Sequence, residues 1–276
     1  MDAATERVRR FYDGAPFPGY PANDTLFALR ARAERNQFVR LLDRAIDDEA
    51  RVADVGCGTG QMCLYMARGN RLVVGLDLTP ASLALAATAA RRFQLDRVRF
   101  VETDLRQPGL LEGAFDVVYS AGVLHHTPDP RASFAVVARL ARRGGTIVLG
   151  VYNSFARVPQ RLRRVVARLS GYRVIPFDPV LRDRGGEPQR REAWLRDQYR
   201  HPQEHRHTLA EVQRWFEENG VDYLRTYPSA VLDEEPEDLF TPAPDNWRVE
   251  GWLAQIAWMR TLGREGGLFF TIGRRR

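Results

Sequence analysis

Lysine is absent from this 276-residue chain: all 41 basic side chains are arginine, set against 35 acidic ones for a net charge of +6. That surplus permits contact with an acidic partner. No arginine-aromatic cluster or nucleic-acid module accompanies it, so a solvated basic surface is expected and nucleic acid is not the expected partner. Cysteine is nearly absent too. Cys57 and Cys63 are the only two, both in or just after one glycine-rich loop, which argues against a disulfide framework and for reduced thiols. No apolar run approaches the roughly 20 residues that span a bilayer. The start, Met1 to Glu6, lacks the basic-then-apolar layout of a secretory signal, so a cytoplasmic protein with no membrane partner is expected.

What is present is enough apolar material, 44% of residues, for one large core that needs no staples. The chain is organised around Val52-Ala53-Asp54-Val55-Gly56-Cys57-Gly58-Thr59-Gly60, an apolar strand that ends in a carboxylate and runs into a loop with three glycines. Residues without Cβ take strained turns and let another molecule approach the backbone. The helix that follows, from about Gln61 to Arg68, offers unpaired N–H groups to the same space. The stretch reads as a nucleotide cradle.

Upstream, Thr5 to Tyr12 forms a short helix, Asp13 to Pro21 an irregular aromatic loop, and Thr25 to Ile46 a long helix interrupted by the polar run Arg32 to Gln37. Downstream, strands at 71–76, 98–101, 115–119 and 146–151 alternate with helices. One of these opens at Thr79-Pro80 with a capping hydroxyl and buries Leu83, Leu85, Ala86 and Ala90; another opens at Asp129-Pro130. Strands alternating with helices imply a doubly wound parallel α/β sheet, whose ligands bind beyond the carboxyl ends of the strands.

Asp54 to Gly60, Asp77 closing the second strand, Asp104 after the third and Phe115-Asp116-Val117-Val118 together resemble the class I S-adenosylmethionine-dependent methyltransferases. The resemblance covers roughly Arg51 to Val151. It implies a seven-stranded Rossmann-like sheet whose last strands, Val221 to Tyr227 and Gly267 to Ile272, form a hairpin edge. It also implies a task for each strand end. Asp77 accepts the ribose hydroxyls and Asp104 the adenine amine, with Leu78 and Leu105 flanking the ring. Gly56, Gly58 and Gly60 let the methionine part lie against the backbone, Asp54 holds its ammonium group, and Ser120 and Ala121 line the far side. A nicotinamide dinucleotide site is the competing reading, but its third glycine belongs at Gln61. A non-catalytic cofactor-binding protein is a further alternative.

The domain reading that follows is an N-terminal helical cap (1–48), a cofactor-binding core (49–153), a lid insertion (154–207) and the rest of the core with a helical insertion (208–276). In the lid, Arg157 to Leu169 is an arginine-rich amphipathic helix with Val158, Leu162, Val165, Val166 and Leu169 on one side. All five histidines lie in two places. His125 and His126 follow the fourth strand, where a ring could orient or deprotonate an acceptor. His201, His205 and His207 lie near Tyr199, giving Tyr199 and His201 as further catalytic candidates. Pro202 breaks the helix that would align these rings, so no metal site is expected. Tyr12, Phe17 and Tyr20 are candidates for aromatic contact with a sulfonium, and the helix Trp247 to Leu262 brings Trp252, Ile256, Trp258 and Met259 for core packing or pocket lining. The expected reaction is methyl transfer by in-line displacement to oxygen or nitrogen, with carbon as a further option, of a small-molecule acceptor. A tRNA or protein acceptor is the alternative.

Overall fold

The computed structural model describes residues 3–13, 24–178, 180–181, 188–201, 203–231, 233–244, 248–262 and 266–276. Seven strands form one sheet in the order β3-β2-β1-β4-β5-β7-β6. They are β1 (Arg51–Val55), β2 (Leu72–Asp77), β3 (Val98–Glu102), β4 (Phe115–Ala121), β5 (Ala141–Tyr152), β6 (Val221–Tyr227) and β7 (Leu268–Arg275). β3, β2, β1, β4 and β5 pair in parallel; β7 slots antiparallel between β5 and β6. The strand order reverses between β1 and β4, and that switch point opens a crevice at the carboxyl ends.

Both faces of the sheet are covered, which is why its strands read as nearly continuous apolar runs. On one side lie α2 (Leu26–Glu34), α3 (Gln37–Ala45), α4 (Gln61–Met66) and α5 (Pro80–Arg92), contributing Leu29, Phe38, Leu42, Leu64 and Leu83. On the other lie α6 (Pro130–Leu140), α9 (Leu209–Glu218) and α10 (Arg248–Thr261), contributing Phe134, Val137, Trp215, Phe216 and Trp258. Between β5 and α9 sit α7 (Val158–Leu169) and α8 (Pro188–Arg200); α1 (Ala3–Asp13) begins the chain. Gly75 on β2 admits no substitute, since a Cβ there would meet the sulfurs of Cys57 and Cys63 at 2.8 Å.

Several expectations are corrected. The segment 25–46 is two helices, because Asn36 leaves helical geometry and accepts from the Val39 N–H, starting α3 afresh. Such a cap contributes about 1 kcal/mol. Thr79 does not cap α5 through its side chain, and Leu85 is exposed. β5 begins at Ala141 rather than Thr146, with Gly144 and Gly145 inside it. Of the aromatics and large apolar residues expected from α10, Trp258 is buried, but Trp252 is exposed. Phe17, Tyr20 and Trp247 lie outside the described residues.

The apolar stripe of α7 faces outward. Val158, Leu162, Val165, Val166 and Leu169 are exposed, while Gln160, Ala167 and the preceding Arg157 are buried. The cause is Glu204, whose side chain is 6% exposed and pairs with Arg157 at 2.5 Å and Arg164 at 2.9 Å. Turning the polar face inward satisfies that buried carboxylate.

Candidate active site

The glycine loop is built by backbone rather than side chains. Gly56, Gly58 and Gly60 all hold positive φ. At Gly56 (φ +79°) a Cβ would lie 2.2 Å from Val123 Cγ2, so the turn and the packing both exclude a side chain. The Gly56 and Cys57 N–H groups donate to the Leu76 carbonyl, tying the loop to β2. The Gly58 N–H donates to Asp77 Oδ2 at 2.8 Å, and the Thr79 N–H to Oδ1 at 2.9 Å. Asp77 is therefore fixed in rotamer, with lone pairs remaining for a ligand.

Around this loop lies a cavity of about 530 Å³. Its walls include Asp54, Gly56, Gly58, Asp77, Leu78, Asp104, Leu105 and Ala121, so eight of the expected cofactor positions converge there. Gly60 is not among the lining residues; it starts α4 in a left-handed conformation. Ser120 is buried behind the wall, its hydroxyl donating to the Val55 carbonyl at 2.9 Å. Asp104 is held in a fork by Arg106, with Nη2 to Oδ2 at 2.7 Å and Nε to Oδ1 at 3.1 Å. A ligand amine at Asp104 shares it with that guanidinium.

Asp54 differs from the other acids. It is 3% exposed, and the Cys63 thiol donates to its Oδ2 at 3.2 Å. Burial pushes its pKa up to about 7, and the nearby Asp77 raises it further while Cys63 opposes. Asp77 is raised as well, by burial. A buried carboxylate short of a cation, beneath a glycine loop, suits an ammonium group that supplies the missing charge.

The histidines sit next to this cavity, and one enters its wall. His126 lines it; His125 is fully buried behind, stacked on Tyr152 at 3.9 Å between centroids. His126 Nδ1 lies 2.7 Å from the Gln203 carbonyl, so it carries the proton, and its Nε2 accepts from His125 Nε2 at 3.1 Å. Burial drops the His126 pKa to about 4 and holds His125 well below its usual range. Both rings stay neutral at physiological pH, and the lone pair of His126 is already engaged. His201 stacks on His126 at 3.7 Å and touches Phe11 and Tyr12, outside the lining residues. Tyr199 is placed elsewhere: it is 1% exposed among the apolar residues between α7 and α8, its hydroxyl 2.5 Å from Asp178, and burial together with that carboxylate raises its pKa. His205 and His207 run alongside the end of β5, the His207 N–H donating to the Tyr152 carbonyl. Among the described residues no three metal-donor side chains cluster.

Tyr12, expected as an aromatic contact, lines the cavity from α1. Other lining residues escaped the sequence reading: Thr5, Val8 and Arg9 also come from α1, and Trp194 and Gln198 from α8, so both helices border the crevice. Tyr152 ends β5, and the rule that strand ends carry the site applies to it equally.

Comparison with known proteins agrees with this geometry. Residues 53–149 match the methyltransferase domain family. An uncharacterized Synechococcus protein is 29% identical over 81% of this chain and 60% of its own length. The ubiquinone biosynthesis O-methyltransferase of Xanthomonas campestris is 40% identical over 38% of this chain and 44% of its own. The chain thus spans about half the length of the curated relatives it matches. The magnesium protoporphyrin IX methyltransferase of Synechocystis, solved with bound S-adenosylmethionine, superposes over 100% of this chain and 99% of that one with a TM-score of 0.56, at 16% identity that speaks for fold alone. Matched domain, strand order and the convergence of Asp54, Asp77 and the glycine loop agree: residues 53–149 match a methyltransferase domain, set in a seven-stranded Rossmann-like sheet of the same fold as that S-adenosylmethionine-bound structure.

Proposed function

We propose that this chain is an enzyme that transfers the methyl group of S-adenosylmethionine to an oxygen or nitrogen of a small molecule enclosed by α1, α8 and the end of β5. The carrying observation is Asp54, a buried, cation-deficient carboxylate at the cavity wall below a loop that excludes side chains. It would take the ammonium group, Asp77 the ribose hydroxyls, and Asp104 together with Arg106 the adenine edge, between Leu78 and Leu105. When bound, the cofactor supplies an electrophilic methyl on a sulfonium; the protein's part is alignment and exclusion of water. Tyr12 and Tyr152 supply aromatic surface on the acceptor side. The enclosure supports a small acceptor, as do the names of the O-methyltransferase relative and the porphyrin methyltransferase neighbour.

His126 fits a positioning role better than that of a base. Its neutral ring, fixed by Gln203 and His125, presents a constant surface to the acceptor. At saturating S-adenosylmethionine the rate of methyl transfer is accordingly expected to show no inflection near pH 6.5; an inflection there that vanishes in His126→Asn would restore it as the base.

Calorimetry tests the cofactor reading. S-adenosylmethionine is expected to bind and NADH not to. Asp77→Asn should weaken binding by ~10- to 100-fold, the cost of charged hydrogen bonds to two hydroxyls. Binding of NADH alone, or unchanged affinity in the variant, overturns it. Labelled methyl groups appearing in tRNA or protein rather than in a small-molecule extract would reassign the acceptor.

A further inference from the structure

The exposed stripe of α7 is long and apolar, and within residues 155–177 it is flanked only by positive charge. Leu162 is 65% exposed and Leu169 85%. Beyond the helix, Val174 and Phe177 continue the surface, with Phe177 at 93%. At the other end Phe155 meets the Trp252 ring edge-on at 5.3 Å, joining the stripe to exposed Val249, Trp252 and Leu253 on α10. Twelve helical residues alone span roughly 18 Å. Soluble monomers rarely leave so continuous an apolar surface in water.

Charge decides what covers it. From Phe155 to Phe177 the sequence holds no acidic residue. Arg157 and Arg164 turn inward to Glu204, whereas Arg161 and Arg168 are exposed beside the stripe, with Arg163 and Arg173 partly or fully so. Among the described residues none of those four makes an ion pair. A second copy of the chain packed through a two-fold axis would set these arginines against their own kind. An anionic bilayer meets both requirements, since apolar side chains enter the acyl boundary while arginine stems extend their heads to the phosphates.

We propose that the α7 face, with Phe177 and the Trp252 edge of α10, docks this protein on the surface of an anionic membrane. Among the described residues no helix is long and apolar enough to cross a bilayer, and lying on a bilayer requires none. The absence of a spanning segment, from which no membrane partner was expected, does not bear on this mode. Docking there sets α8, which packs behind α7 through Arg164 and Gln160 to the Gln198 carbonyl and also lines the cavity, close to the lipid.

The test is co-sedimentation of the full chain, without cofactor, with vesicles of equal phosphatidylglycerol and phosphatidylcholine and with vesicles of phosphatidylcholine alone. Binding should be at least ~10-fold stronger to the anionic vesicles, as several arginines near the surface predict. The double variant Leu162→Glu, Val166→Glu should lose at least ~10-fold while its melting temperature and cofactor affinity hold, because both side chains start in water. Arg161→Glu with Arg168→Glu should weaken binding to a similar degree. Failure of the wild type to sediment with anionic vesicles overturns the proposal, as does equal sedimentation of the Leu162/Val166 variant. A wild-type dimer in light scattering that the same variant dissolves assigns the stripe to a second copy instead. Methyl transfer enters none of these readouts, so their failure leaves the cofactor site untouched.

Discussion

Arg157→Ala should lower stability by about 3–5 kcal/mol, because it strands a carboxylate in the interior. Arg157 is 1% exposed and holds four parts of the structure together. Its Nη2 lies 2.5 Å from Glu204 Oε2, its Nη1 donates to the Gly266 carbonyl at 2.7 Å and also to Gln198, and its guanidinium stacks 3.9 Å above the Tyr152 ring. Truncation removes all of these at once and leaves Glu204, held ionised against its burial by Arg157 and Arg164, with Arg164 alone. For a chain of this size the loss corresponds to a melting temperature lower by roughly 6–15 °C. The pairing is separable from the packing. Arg157→Met with Glu204→Leu removes both charges and keeps volume, and should recover much of the loss, as apolar replacements of buried ion pairs do. A melting temperature within a few degrees of wild type for Arg157→Ala would sink the account, and so would a double variant no better than the single one. Gln198 and Tyr152 line the cavity, so partial loss of cofactor affinity in Arg157→Ala is expected alongside the stability change.

The same network explains which parts of this protein can be read from sequence. Asp54, Asp77 and Asp104 were legible because chemistry and place coincide: a carboxylate at the carboxyl end of a parallel strand meets the crevice wherever the helices go. Gly56 was legible because only the missing Cβ fits against Val123. The direction of α7 was not. Periodicity tells that Leu162, Val165, Val166 and Leu169 share a face, yet says nothing of whether that face points in or out. The answer rests on Glu204, 47 residues from Arg157, and on its need for two guanidiniums. Of α1, only the aromatic Tyr12 was legible as a pocket residue; Thr5, Val8 and Arg9 were not, since an 11-residue helix carries no local signal of the surface it lies on. His125 and His126 were legible as residues near the site. Their roles were not, because the Gln203 carbonyl that fixes the His126 tautomer, and with it the direction of the Nε2-to-Nε2 contact, comes from 77 residues away. The break at Asn36 lay within a polar run that reads as an interruption of one long helix. Capping by the Asn36 side chain makes it the start of a second helix.

Binding of S-adenosylmethionine should release a proton from Asp54, and affinity should therefore climb with pH up to neutrality. In the free protein burial raises Asp54 to about 7, so at pH 6 the carboxyl is mostly protonated. An ammonium group placed on it favours the ionised form and pulls its pKa back down. Free protein then carries about 0.9 proton at pH 6 that the complex lacks, and affinity rises close to tenfold per pH unit below 7 and levels off above it. The α-amino group of the ligand, with an ordinary pKa near 8, stays charged across that range. Calorimetry at pH 6 in two buffers of different ionisation enthalpy reads the proton directly. The linkage also runs through stability. A carboxyl raised from 3.8 to about 7 contributes stability that is fully present below 3.8 and lost as pH rises through 7, on the order of 4 kcal/mol for this buried group. His126 and His207, both lowered to about 4 by burial, act in the opposite sense, their contribution present above 6.5 and lost as pH falls toward 4. The two trends oppose each other between pH 4 and 6.5, which is why Asp54 is isolated by mutation rather than by pH alone. Asp54→Asn should raise the melting temperature of the free protein at pH 8, where the wild type holds an unpaired buried charge. The same change should weaken S-adenosylmethionine binding by ~10- to 100-fold and abolish the proton release. A variant that loses affinity but keeps the pH slope would move the titrating group elsewhere, Asp77 first among the candidates because it too is raised by burial.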